Sequence, residues 1–575
     1  MRIARSIAAA LVPWLVTVII GGLFWLIFAF IAEGMDLRSR YEIFWLEQLR
    51  GYSFWIFAFI WFIISTALAA WAYEYDRNAG DLPHGGIIAW LMAGMVIISF
   101  TMMFRGIWDI DKDEARFYDQ DTVFVVKDLD QIPESLQWLL SKGSDPVPGE
   151  VPAVAPRHGM DTQVIEGSLS ELGWLERGAS AQSARAFMAE NSGGRAGTEV
   201  LYNTLAYVYA PPQAIEGEAD DVSRTTGTWT MIRDGGGINK PLESIVYWDG
   251  VSDRAEECRF DGDYQIDRAL KGSRSNNIRN EILQGDRRHL KYNLDDAYGY
   301  CDGDRPVVVI PMRRLVNSGY QVLDEFAGVL LVTGSPNGEP NFELRTDVAP
   351  GEIPGPVYPI SLAEKQRELH TWLAGRENRS RNDFGFETAA VGTQGGNASE
   401  FNLFSLEDGR AYWVTPLTLR GTASQIIVAY AVVPSDAAQV GELNELRIYV
   451  VDDQDPDAVV INQFERAVTD LVERQRPGFI PAGGIVQEFI PGENGQWSAF
   501  GVREGLPIFR LRVNPRTGAG EIIELAFSDA PDSFGGETTD EPTVSVNPDS
   551  DLSQLSEDEL EQLIADAINE LQTRD

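Results

Sequence analysis

Three long uncharged apolar runs lie within the first 108 residues of this 575-residue chain, and no run of comparable length follows. They cover residues 7–32, 54–72 and 87–104, about 18 to 26 residues each, with no Asp, Glu, Lys or Arg inside. A helix rises 1.5 Å per residue, so about 20 apolar residues cross a hydrocarbon core of roughly 30 Å. The runs carry Trp14, Trp25, Trp55, Trp71 and Trp90, with Tyr73 and Trp108 just beyond, aromatic residues suited to the headgroup level. The first run is too long for a cleaved leader, and Glu33-Gly34-Met35-Asp36 offers no small-residue cleavage site. The sequence therefore predicts three transmembrane helices.

Arginines flank these runs almost evenly: Arg2 and Arg5 before the first, Arg38, Arg40, Arg50 and Arg77 in the loops, Arg105 at the end of the third. The first helix usually dominates, and Arg2, Arg5 and the terminal amine favour a cytoplasmic N-terminus. Three crossings then place residues 109–575 outside the cytoplasm. The expected localisation is thus the cell membrane, multi-pass, with a large extracytoplasmic C-terminal region. Uncharged spans argue against an ion pump or transporter made of this chain alone. Gly21-Gly22 and the small residues at 65–70 allow close helix approach, within one chain or between copies of a homo-oligomer.

The net charge of −39 excludes nucleic acid as a partner, because phosphate binding needs a basic footprint. Two cysteines, Cys258 and Cys301, permit one disulfide in an oxidising compartment.

The fold class expected is α+β: the membrane anchor, then antiparallel sheets with packed helices. Residues 1–108 form the anchor. Residues 109–164 hold a strand at 122–126, a short helix at 134–140 and a Pro-rich linker. Residues 165–348 form an α+β module with a helix at 180–190, and 349–400 a Pro/Gly hinge, a helix at 361–375 and a polar loop. Residues 401–529 form a second α+β module. Residues 530–552 form an acidic linker too polar to fold alone, and 553–575 a terminal helix. Ser361 with Glu364, and Ser556 with Glu559, have capping-box spacing. The 457–475 segment is amphipathic, with Val460, Phe464, Val468 and Leu471 at helical spacing.

One internal echo stands out. Arg305-Pro306-Val307-Val308-Val309-Ile310-Pro311-Met312 and Arg410-Ala411-Tyr412-Trp413-Val414-Thr415-Pro416-Leu417 are offset by 105 residues. Each follows a Gly/Asp turn and precedes another apolar run, and Gly505 to Leu511 repeats the pattern more faintly. This pattern resembles PepSY-like extracytoplasmic modules, small units of a helix against an antiparallel sheet. The resemblance covers about 30 residues per copy and implies binding or inhibitory add-ons.

Catalytic signatures are missing from the sequence. The four histidines, His84, His158, His289 and His370, are far apart, and neither a phosphate loop nor a nucleophile elbow occurs. No cofactor is expected. The best metal candidate is the acidic run Asp452, Asp453, Asp455 and Asp457, whose carboxylates suit Ca²⁺. Arg287-Arg288-His289-Leu290-Lys291 is the main basic island and reads as a solvated helix face, or as a receiver for the acidic tail or an anionic ligand. In the terminal helix, Leu560, Leu563, Ile564, Ile568 and Leu571 form an apolar stripe that packs on its own domain, docks on a partner or, left uncovered, frays.

These observations lead to a non-catalytic, membrane-anchored binding or assembly protein whose partners are other membrane or envelope proteins. A carboxylate-dependent envelope hydrolase is the first alternative, since acid/base pairs leave no signature among 86 acidic residues. An accessory subunit of a secretion or transport complex is the second.

Overall fold

The computed structural model describes Leu23, Ile63, Ala67, residues 117–118, most of 122–136 and, with internal gaps, residues 163–524. The chain divides into two compact units, Met1–Ser528 and Asp529–Asp575, and every described residue lies in the first.

Within that unit, twenty-four strands and four α-helices are described. The first antiparallel sheet has β3 (Glu199–Val200), β4 (Ala206–Tyr209), β5 (Gly227–Asp234), β6 (Leu242–Trp248) and β7 (Glu256–Arg259). The second has β8 (Leu290–Tyr292), β9 (Tyr298–Asp302), β10 (Arg305–Ser318), β11 (Gln321–Thr333) and β12 (Asn341–Arg345). The third is built on β14 (Phe386–Thr388), β15 (Phe401–Phe404), β16 (Ala411–Leu419), β17 (Ile426–Pro434) and β19 (Leu446–Val450). It is extended in parallel by β1 (Thr122–Val126) and β2 (Gln163–Glu166), and β20 (Val459–Val460) pairs with the start of β17. The fourth has β21 (Ile485–Pro491), β22 (Trp497–Arg503), β23 (Leu506–Val513) and β24 (Gly520–Glu524). A small ribbon joins β13 (Asp347–Val348) to β18 (Ala438–Gln439). One helix precedes each sheet: α1 (Ala181–Asn191), α2 (Ile278–Ile282), α3 (Ile360–Leu369) and α4 (Ile461–Gln475).

The four sheets repeat one plan. Two short strands pair side by side along a long strand, which continues into a second long strand and then an edge strand. In the second sheet β9 pairs with Arg305–Val309 and β8 with Met312–Arg314. In the third, β15 pairs with Ala411–Val414 and β14 with Leu417–Leu419. The long strand is bulged where the first short strand pairs, at Met312/Arg313, at Leu417/Thr418, at Arg233/Asp234 in the first sheet and at Gly501/Val502 in the fourth. The first two bulges stand 105 residues apart, the spacing of the sequence echo. In the fourth sheet the two short strands are fused into β21, and a bulge at 488–489 marks the join. The described chain is thus four helix-plus-sheet modules.

Helices fill the spaces between sheets. Ile278 and Ile282 of α2 share a core with Ile232 and Ile245 of the first sheet and Val308, Ile310 and Met312 of the second. Leu362 and Leu369 of α3 sit with Val309 and Phe326 of the second sheet and Leu417 and Ile448 of the third. Phe464, Val468 and Leu471 of α4 join Val414 and Tyr430 of the third sheet to Phe500 and Phe509 of the fourth. Phe187 and Met188 of α1 pack on Trp229 and Trp248, and Phe187 stacks on Trp248 at 4.1 Å. A sheet buried on both faces needs apolar residues at successive positions, which is why Val307 to Ile310 are all buried.

Three membrane-spanning helices are not supported. No helix among the described residues is long and apolar enough to cross a membrane. The expected spans fall outside the described residues except at Leu23, Ile63 and Ala67. The expected multi-pass localisation, with the rest of the chain extracytoplasmic, loses its basis with them. The fold class is corrected from α+β to mainly β among the described residues, because the helices are short fillers between broad sheets. The capping box at Ser361 is also corrected: Pro359 occupies the N-cap, and the Ser361 hydroxyl turns instead to Asp296. The expected short helix at 134–140 lies mostly outside the described residues.

Cys258 on β7 and Cys301 on β9 form a disulfide, with Cα atoms 6.0 Å apart, that ties the first module to the second. It closes a loop of 43 residues, worth about 4 kcal/mol in the chain-entropy model. Denaturant unfolding followed by near-ultraviolet circular dichroism, with and without a reductant, is expected to show a loss of that order on reduction. Unchanged unfolding would show that module packing alone holds β7 against β9.

Candidate functional site

The buried charged side chains are the natural place to look for chemistry, and the densest group lies between the second and third modules. Asp296 caps the start of α3 from a distance: its Oδ2 accepts from the Ser361 hydroxyl at 2.6 Å and its Oδ1 from the Ser361 N–H at 3.3 Å. Arg313 on β10 is 3.8 Å from Asp296 and 3.6 Å from Asp324 on β11. Lys291 donates to Asp324 Oδ2 at 3.0 Å. The Tyr118 hydroxyl donates to the Asp324 carbonyl at 2.8 Å and accepts its N–H at 3.0 Å. Burial pushes the Asp296 carboxyl up, against the opposing pull of Arg313 and Ser361. Two acids, an arginine and a lysine are here consumed in joining β8, β10, β11 and α3. Such a cluster is costly to break, because removing one partner leaves a buried charge uncompensated.

His370 follows α3 and is fully buried. The Phe386 N–H donates to Nε2 at 2.9 Å, so Nδ1 carries the proton and donates to the Arg367 carbonyl. Arg367 in turn donates to Thr415 Oγ1 at 2.9 Å. The imidazole therefore links α3 to β14, and its neutral form fits: burial, with Arg367 and Arg420 nearby, pushes it down to about 4.

A third group lines the seam where residues 168–182 run between the third and fourth modules. The segment is held on the third module by the Trp174–Ser405 bridge and by the Leu175 N–H on the Phe404 carbonyl at 2.8 Å. Arg177, 5% exposed, donates to the Asn402 carbonyl and lies 5.0 Å from the ring centroids of both Tyr207 and Trp229. On the other side is Glu488, at the bulge of β21, with a φ of 53°. It alone among the described non-glycine residues has a positive φ. Its carboxylate accepts the N–H groups of Ala181 at 2.6 Å and Gln182 at 3.0 Å, the first turn of α1. Gln487 donates to Ser180 Oγ at 3.2 Å, and Arg510 to the Arg177 carbonyl at 3.2 Å. Burial raises the Glu488 carboxyl, opposed by the two N–H groups and by Arg177 and Arg185. A strained residue persists only where its surroundings over-determine it; here the helix N-terminus supplies that constraint through orphan N–H groups and dipole.

Beside the seam is a small pocket lined by Leu169, Gly173, Trp174, Tyr430, Gly492 and Trp497 among others. Its volume of about 10 Å³ suits one water molecule. Trp174 is one of its lining residues, and the Trp174 Nε1 is buried without a hydrogen-bond partner.

Of the residues singled out in the sequence, Cys258 and Cys301 are brought together. Asp452, Asp453, Asp455 and Asp457 lie outside the described residues, as do Leu560, Leu563, Ile564, Ile568 and Leu571. Among the described residues, no three His, Cys, Asp or Glu side chains are grouped to hold a metal ion. Of the basic island, Arg287, Leu290 and Lys291 are described, and these three are engaged within the fold rather than displayed on a solvated helix face. Arg287 donates to the Ile282 and Glu281 carbonyls at the end of α2 and lies over the Phe342 ring, Leu290 is buried on β8, and Lys291 serves Asp324. Asp296, Asp324, Arg313, Arg177 and Glu488 were not legible as a group, because their partners stand up to 307 residues away.

Neither a protein-family model, a curated protein nor a solved structure matches this chain.

Two outcomes follow from these contacts. The unfolded chain protonates His370 near 6.5 and the folded one near 4, so this group's stability contribution is present above pH 6.5 and lost as pH falls towards 4. The stability gap between the native chain and His370→Gln should shrink by up to about 3 kcal/mol over that window in urea titrations, and a constant gap would contradict the assignment. Glu488→Ala strands two helix N–H groups and should cost about 2 kcal/mol, whereas Glu488→Gly relieves the backbone and should recover about 1 kcal/mol of it. Equal losses in both variants would show that the positive φ carries no strain.

Proposed function

We propose that this chain is a non-catalytic binding or assembly protein, a framework of repeated modules that meets protein partners through its sheet edges. The observation that carries this reading is β1. It adds in parallel to β19, the edge strand of the third module, pairing Thr122 with Leu446 through Val125 with Tyr449. The chain thus completes one module edge by strand addition, the mode by which extended segments of a partner join an open sheet. The buried ionisable groups support the same reading, since Asp296, Asp324, His370 and Glu488 are each committed to holding one element against another. The apolar stripe read in the sequence from Leu560 to Leu571 would add a separate docking element.

The carboxylate-hydrolase alternative makes the opposite demand on Asp296 and Asp324. Purified full chain should turn over neither glycans nor esters, and Asp324→Asn should lower thermal stability while leaving recovery of a stoichiometric protein complex from the source cells intact. Turnover that disappears in a folded Asp324→Asn variant would overturn the binding reading in favour of the hydrolase.

A further inference from the structure

The edge equivalent to β19 in the second module is β12, and no strand among the described residues pairs with its outer side. Its inner side is fixed by β11, from Val329 opposite Arg345 to Thr333 opposite Asn341. Gly328 on β11 has a φ of +120°, and a Cβ there would meet the Arg345 carbonyl at 2.5 Å, so this close seat requires glycine. Asn341, Glu343, Leu344 and Arg345 are all exposed. Leu344, at 37% exposure, is one of the few large apolar side chains left in solvent.

The order of residues on this edge is self-complementary. Side chains alternate along a strand, so Glu343 and Arg345 share one face and Leu344 lies on the other. If two copies of β12 pair antiparallel about a two-fold axis at Leu344, Glu343 of each copy faces Arg345 of the other, and Leu344 faces Leu344. A closed two-fold contact of this kind uses one patch on both partners. Opposite charges directly across an antiparallel pair attract. The present partners of these charges do not compete strongly. Arg345 is 2.6 Å from Glu343 and 3.4 Å from Glu352, and all three side chains are substantially exposed, where ion pairs contribute little. Proline, lysine and a bulge, three common guards of an exposed edge, do not occur between Asn341 and Arg345.

We infer that β12 is a self-association edge and that its occupant is β12 of a second copy of this chain. A five-residue strand buries less than a standard interface, so the dimer forms and dissociates with concentration. The inference goes beyond the binding reading, which uses module edges in general; its failure removes the dimer and leaves that reading standing.

Cys258 and Cys301 are bonded to each other, so in full-chain Leu344→Cys the introduced thiol is the only free one. Residues directly opposite in an antiparallel pair have Cα atoms about 4.5 to 5.5 Å apart, within disulfide reach. Mild oxidation of Leu344→Cys should give a covalent dimer on a non-reducing gel, while Leu129→Cys, at another exposed leucine, should remain monomeric. Adding Glu343→Arg should cut the dimer yield about tenfold by setting like charges opposite each other. Exchanging the charges, with Glu343→Arg and Arg345→Glu together, should restore it. Sedimentation of the unsubstituted chain should show a concentration-dependent monomer–dimer equilibrium. The inference is overturned if Leu344→Cys stays monomeric, if the charge reversal leaves the yield unchanged, or if position 344 crosslinks to a different protein.

Discussion

Burial of sheets on both faces is the constraint from which the rest of the architecture follows. A single antiparallel sheet can leave one face in water and alternate apolar with polar residues. Here Val308 and Ile310 point into the layer shared with the first module, while Val309 points into the layer shared with the third. The same strand therefore feeds two cores. Each helix sits where two sheets face each other and supplies the side chains neither sheet can provide, as α4 does with Phe464, Val468 and Leu471. The modules are consequently interdependent: no sheet is complete without its neighbours.

That interdependence explains the buried charges. Once sheets close over both faces, the loops and strand ends between layers lose water, and their polar groups need partners inside the protein. Asp296 meets the first turn of α3, Glu488 the first turn of α1, and His370 the backbone of β14. Each bond spans elements distant in sequence, and each uses a side chain to satisfy backbone groups that secondary structure leaves over. The bulges recur for a related reason. A long strand that must pair with two short strands in succession changes register where the first of them begins, and every module breaks there.

The echo between the Arg305 and Arg410 segments was a real trace of this plan, because their offset is also the offset between two bulges, whereas the fainter Gly505 to Leu511 echo falls on β23 and not on the matching strand β22. The strand at 122–126 and the start of β10 within the Arg305 to Met312 echo were legible because apolar, largely β-branched residues cluster there beside turn signals. The first module was harder to see as a third copy, since its short strands carry no shared residues and only their pairing reveals them. The fourth hid its two short strands inside one continuous segment, where Glu488 looks like an ordinary polar residue of a strand.

The sequence by itself determined the local elements: the α1 and α4 helices to within a few residues, the long apolar strands, the acidic surface and the presence of two cysteines able to pair. Those follow from periodicity and composition, which act over neighbouring residues. Only the tertiary structure decided that four modules share a plan and that Arg287 and Lys291 are spent on α2 and Asp324. It alone gave Glu488 a left-handed backbone and, among the described residues, left the outer side of β12 unpaired where β19 is covered. These are matters of which distant groups meet after burial, and desolvation enforces them only when the layers have closed.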